Sequence, residues 1–283
     1  MKKMINKSMI EGVLLEKELR SGVTKAGIPY VSGRLQIETE PGNVITIDVF
    51  EQQKTSKGLD NAKFGILNGI YLNGSAKQDG AANPTRLRVN SALDLNDWTD
   101  KDGQARTALI NAGGYINIVP TVNPKAEFEV DIVIKSVQPE IRNETETGRA
   151  VVNGLIFNYR NNALPIRLVV ENKKGVDFFS NLDPNTFTRV WGVQVNNTVT
   201  NEKAEESAFG DSKVVRSSYT RKELVITGAQ TIPYEEDQLS PAELAAAVQA
   251  RNIVVAEKTQ GVKPAAPTTT TTTAKPATNT FNF

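Results

Sequence analysis

The sequence predicts an all-β chain: two tandem five-stranded barrels, followed by a C-terminal helix and a disordered tail. Three observations predict it. Short runs rich in Val and Ile alternate with polar residues at a period of two, the signature of half-buried strands. The whole pattern restarts about 120 residues on. One Ala-rich segment with helix caps then precedes a stretch of Thr and Pro.

Taken in order, IEGVLLEKEL, YVSGRLQIE and NVITIDVF are the first three strands. Turns containing Gly22, Gly27, Pro41 and Gly42 separate them. KFGILNGIYLNGSAKQDGAANP follows, richer in Gly and Asn and partly helical by expectation. TRLRVNSALDL and ARTALINAGGYINIV complete five strands before Pro120. FEVDIVIKSVQPE then answers the first strand, GRAVVNGLIFNY the second and LPIRLVVEN the third. Val133 stands for Val13, Gly154 for Gly33 and Val170 for Val49, at offsets of 120, 121 and 121. TRVWGVQVNNTVT and TRKELVITGAQTIP answer the fourth and fifth more loosely.

A glycine inside the second strand marks a bulge or corner of a small closed barrel. The long connection between strands three and four is where an OB-fold carries its helix or loop. OB-like barrels are therefore expected at 1–120 and 121–234, with a pair of β-sandwiches as the alternative. A helical segment is expected at 235–258, where Ser240, Pro241 and Glu243 form a capping box with proline at the first helical position. Residues 259–283, with six consecutive threonines, are too polar to offset the entropy of ordering them. They read as a tether carrying an aromatic tip, Phe281 and Phe283.

Composition excludes much chemistry. The chain has 283 residues and neither Cys nor His, so thiolate chemistry, imidazole bases and ordinary zinc sites are ruled out. No cofactor, no metal and no enzymatic activity is expected. The aspartates 94, 97, 100 and 102 lack calcium-loop spacing. There is no phosphate-binding glycine motif. A net charge of +1 creates no global field. No apolar run is long enough to span a bilayer, and the basic start MKKMINKSMIEG lacks a cleavage signature, so a cytoplasmic location with no membrane partner is expected.

Alternation assigns faces. Val31, Leu35 and Ile37 point inward, as do Ile45, Ile47 and Val49, leaving Tyr30, Arg34 and Phe50 outside. In the second repeat Asn153, Phe157, Tyr159 and Arg167 are the expected outer set. Lys54 and Lys57 lie in a charged loop, Arg86 and Arg88 in the fourth strand, and Trp98 in a polar stretch. Arg189 and Trp191, then Tyr219 and Arg221, belong to the last two strands. Aromatic rings stack on bases and cations neutralise phosphates, so this interleaving suits single-stranded nucleic acid.

On IEGVLLEKEL, PYVSGRLQI, ETGRAVVNGLIFNY and PIRLVVEN, the chain resembles single-stranded-DNA-binding proteins of phages and mobile elements. The resemblance implies tandem OB-folds, binding of single-stranded DNA without sequence preference, and a role in replication or recombination inside a bacterial host. It also implies a C-terminal tip that docks replication or recombination proteins. Phe283 matches that family's terminal Phe, but Asn282 replaces its Pro, and Lys258, Lys263 and Lys275 stand where acidic residues are usual. A monomer or dimer is expected. The alternative is a phage structural or assembly protein whose barrels bind protein.

Overall fold

The computed structural model describes residues 4–205, 213–234 and 239–259. The expected tail with Phe281 and Phe283 lies outside the described residues. The first repeat contains β1 (Asn6–Val23), β2 (Pro29–Glu40), β3 (Asn43–Gln52), α1 (Ala62–Asn73), β4 (Arg86–Thr99) and β5 (Ala105–Ile118). The second contains β6 (Lys125–Arg142), β7 (Thr145–Phe157), β8 (Ala163–Val170), α2 (Lys173–Ser180), β9 (Phe187–Glu205) and β10 (Lys213–Ala229), before α3 (Pro241–Thr259).

Each set of five strands closes on itself. β1 pairs with β2, β2 with β3, β3 runs parallel to β5, β5 pairs with β4, and β4 returns to β1. The second ring repeats this order, with β8 and β10 as its parallel pair. Closure removes the unpaired edges that a flat five-stranded sheet would expose. In each ring a helix follows the third strand, as the OB-like reading expects. α2 was not legible as a helix, although its cap mirrors that of α1: Asn61 Oδ1 accepts from Lys63 N at 3.1 Å and Asn172 Oδ1 from Gly175 N at 2.6 Å.

The alternation argument holds in the first barrel. Val31, Leu35, Ile37, Ile45, Ile47 and Val49 are all buried, with Leu67 and Ile70 of α1 packed beside them. The glycine correspondence does not hold. Gly33 pairs with Leu19 and Val49, whereas Gly154 pairs with Ile134 and Ile166. Gly33 has φ +141°, and a Cβ there would lie 1.9 Å from Glu18 O. Gly154 has ordinary φ and makes room for the Ile132 side chain and Val133 O. The repeats thus use glycine at different points to let two strands approach.

The barrels join through β1 and β6, which pair antiparallel with Asn6 opposite Val130, Ser8 opposite Phe128 and Ile10 opposite Ala126. At the repeat offset of 120, Ser8 and Phe128 are equivalent, and so are Asn6 with Ala126 and Ile10 with Val130. Exchanging the repeats maps this register onto itself, which is the isologous geometry of a two-fold dimer held in one chain. Leu93 and Leu95 of the first repeat sit in the second barrel's core, and Ala126 sits in the first barrel's. Between the cores, Ser8 Oγ donates to Asn111 Oδ1 at 2.7 Å. Asn111 Nδ2 donates to Gln194 Oε1 at 2.9 Å, and Gln194 Nε2 to Ser8 Oγ at 2.6 Å.

The capping box of α3 forms as expected: Glu243 N donates to Ser240 Oγ at 3.2 Å and Ser240 N to Glu243 Oε2 at 3.0 Å. The helix packs Ala247 and Leu244 over Val133, Phe157 and Phe187 of the second barrel. It also reaches the first barrel, because Arg251 grips the buried Asp97 carboxylate of β4 through both terminal nitrogens. Burial raises the Asp97 pKa, and the bonds from Arg251 and Thr107 more than reverse it, so the carboxyl lies below its ordinary value.

Arg251→Met leaves that carboxylate buried without its cation. Urea unfolding should show a loss of about 3 kcal/mol. Lys54→Met, which breaks the exposed Lys54–Asp60 pair, should change stability by less than about 1 kcal/mol.

Candidate nucleic-acid interface

The outer face of β2 and β3 carries the most coherent set of candidates. Residues 30 and 50 lie near the ends of neighbouring strands, so alternation places both side chains on one face. The Tyr30 and Phe50 rings sit 5.4 Å apart at 30°, and Phe50 is 55% exposed. Four residues along β2 from Tyr30, Arg34 projects outward and donates to Asp48 Oδ1 at 3.2 Å. A hollow of about 690 Å3 lies on this face, bounded by Arg20, Gly33, Arg34, Phe50 and Gly113.

A second hollow, about 420 Å3, lies where the barrels meet, and Glu18, Arg34 and Asp48 line both. The second barrel brings Arg167, Asn196 and Lys222 to it. Asn196 is fixed by its backbone N–H bonding Asn43 Oδ1 at 2.7 Å and its side chain bonding Val44 O at 2.6 Å. The two hollows form one line from Phe50 past Arg34 to Arg167 and Lys222. Arg20 and Asn196 were not legible as candidates. Arg20 comes into play because β1 runs to Val23 and places it opposite Ser32.

Tyr159 is the most exposed of the aromatic candidates among the described residues, at 81%, on the turn after β7. It accepts from Arg160 Nε at 2.6 Å and borders a third hollow with Lys7, Met9 and Gly113. Trp98 stands on the β4–β5 hairpin, Trp191 on β9 opposite Glu129 and Gly228, and Tyr219 on the β9–β10 ribbon. All three rings are partly exposed, and none of them lines either of the first two hollows. Lys54 pairs with Asp60 at 2.7 Å, Lys57 is exposed in the adjacent turn, and Arg86 donates to Pro120 O at 3.4 Å.

Phe157 requires correction. It is 1% exposed and packs against Val133, Phe187 and α3, because β7 turns its last residues into the core that the helix covers. Three arginines also serve internal carboxylates. Arg88 holds buried Glu11 through two bonds, at 2.7 and 3.1 Å. That bond is the main cause of Glu11's lowered pKa. Arg189 donates to buried Asp131 at 2.8 Å. Arg221 pairs with Glu171 and Glu223, in a network where Arg149 bonds Glu140, Glu171 and Glu223. Arg167 reaches Glu140 at 3.5 Å yet keeps an exposed guanidinium.

The aspartates between 94 and 102 diverge: Asp97 faces Arg251 and Asp100 faces Arg106. Among the described residues, no group of three or more carboxylates is gathered to hold a metal ion. No helix among them is long and apolar enough to cross a membrane.

The YorF family model matches residues 5–261. The chain belongs to the YorF family. No curated protein matches this YorF member. Among solved structures it is similar to the wild-type single-stranded DNA binding protein of Thermus aquaticus, at 10% identity and TM-score 0.49. It is also similar to a deletion mutant of that protein, at 12% identity and TM-score 0.47. Both matches cover 85% of this chain and 99% of the other.

Burial raises the Glu223 pKa, but bonds and charge from Arg149 and Arg221 outweigh it and hold the carboxyl at about 2, below the ordinary 4.5. A folded-state pKa below the unfolded one gives stability that is complete above pH 4.5 and lost as pH falls towards 2. In acid titration followed by thermal melting, Glu223→Gln should be less stable than wild type at neutral pH. The difference should narrow across that window.

Proposed function

We propose that this protein binds single-stranded DNA without sequence preference and without catalysis, along the line from the β2–β3 face of the first barrel to the barrel junction. The observation that carries this reading is the grouping of Tyr30, Phe50 and Arg34 on one face, continuous with Arg167 and Lys222 from the other repeat. Exposed rings accept stacked bases of any identity, and arginine and lysine neutralise the backbone. The absence of His and Cys from the chain agrees with a binding role. Tyr159, Trp98, Trp191 and Tyr219 offer further rings to a strand that wraps beyond this line. Phe157, Arg88, Arg189 and Arg221 hold the fold.

The setting we propose is coating of single strands during phage or mobile-element replication or recombination, in the cytoplasm of a bacterial host. The 1–120 and 121–234 barrels act there as one rigid binding body, in a monomeric or dimeric protein. Phe281 and Phe283 recruit replication or recombination proteins to the coated strand. Coating needs no cofactor, since stacking and phosphate neutralisation provide the affinity.

Fluorescence anisotropy of labelled oligo-dT of about 30 nucleotides, titrated at several salt concentrations, tests the reading. Affinity should fall steeply with salt, and a duplex of equal length should bind poorly. Phe50→Ala should weaken binding by about 5- to 150-fold, the equivalent of 1–3 kcal/mol for one stacked base. Phe157→Ala should instead cost about 3–5 kcal/mol of stability. No binding at low salt overturns the proposal.

A further inference from the structure

Beside α3 lies a groove that the nucleic-acid reading does not use. Its volume is about 670 Å3, with Val133 and Phe187 as floor and Leu239, Leu244 and Val248 as walls. Its rim is polar and, among the described residues, holds no carboxylate: Lys135 donates to Asn185 Oδ1 at 2.7 Å, and Gln249 and Asn252 stand on the helix side. A groove of this size and lining accepts bulky apolar side chains and leaves amides at its edge to bond a backbone.

We propose that this groove is the intramolecular seat of the chain's own Thr280–Phe283 segment. Phe281 and Phe283 are two residues apart, so an extended segment points both rings to one side and the Asn282 amide to the other. The aromatic residues of 260–283 are these two. Reach is sufficient. The groove contacts α3 between Pro241 and Asn252, about 10–27 Å from Thr259 along the helix axis. A coil with the length of 260–280 spans on the order of 25 Å. Tethering supplies an effective concentration in the millimolar range, so a contact of about 1 mM affinity keeps the tip seated roughly half the time. The same rings are then withheld from a protein partner until that partner competes for them. This seat stands independently of DNA binding.

The chain has no cysteine, so an introduced pair reports proximity without background. In the full chain, Gln249→Cys combined with Asn282→Cys should close an intramolecular disulfide under mild oxidation. It should form about 10-fold faster than Gln249→Cys combined with Thr270→Cys at mid-tether. Phe281→Ala with Phe283→Ala, added to the first pair, should abolish the advantage. Equal rates for the two pairs overturn the proposal, as does an advantage that survives loss of both rings. Disulfide-linked dimers at dilute protein concentration overturn it in favour of a second copy of the chain. Gln249 is exposed, so its replacement leaves packing intact, and a thermal melt of each variant confirms this.

Discussion

Everything else in the molecule depends on the antiparallel contact between β1 and β6. It turns two barrels of one chain into a body with the register of a two-fold dimer, centred on the Ser8–Phe128 pair. A covalently joined dimer does not pay for association of separate subunits, so a modest contact suffices to fix the geometry. The Ser8, Asn111 and Gln194 side chains make that geometry specific. Each is buried, and a slip of one residue in the pairing would turn Ser8 to the opposite face and leave Asn111 and Gln194 without its hydroxyl. Hydrophobic exchange reinforces the same register, with Leu93 and Leu95 entering the second core and Ala126 the first.

The proposed binding line follows from this contact. Arg34 belongs to one barrel, Arg167 and Lys222 to the other, and only a fixed junction sets them around one hollow. The clip between Arg251 and Asp97 adds a second tie, from the helix after the second barrel to the fourth strand of the first. Asn196 adds a third, on the β2–β3 turn. A strand lying along the line would meet surfaces already held in place, and would avoid the ordering cost of bringing two loose domains together.

Much of the fold was legible because each strand carries its own evidence. Val31, Leu35 and Ile37 alternate with polar neighbours, and burial of one face requires that alternation. The repeat was legible for the same reason. The first residues of β1, Asn6 to Ser8, escaped notice because the strand they join in the other repeat lies about 120 residues away and the polar Ser8 is used in a buried network. The equivalence of Gly33 and Gly154 misled, since sequence alignment does not register where bulges shift the pairing.

The candidate site was partly legible. Tyr30, Arg34 and Phe50 follow from alternation alone. Phe157 does not, because burial of its outer side depends on α3, more than 80 residues later in the chain. Arg88 and Arg189 look like free cations in sequence and meet Glu11 and Asp131 only through cross-strand contacts, while Arg221 meets Glu223 two residues along its own strand and Glu171 from beyond β8. The measurement that tests the central claim most directly is ultraviolet crosslinking of oligo-dT to the full chain, with the crosslinked residues mapped by mass spectrometry. Crosslinks at Tyr30 and Phe50, lost when the Ser8–Asn111–Gln194 junction is broken by Gln194→Glu, are the predicted result. Crosslinks confined to Trp98, Trp191 or Tyr219 with none on the β2–β3 face would contradict it.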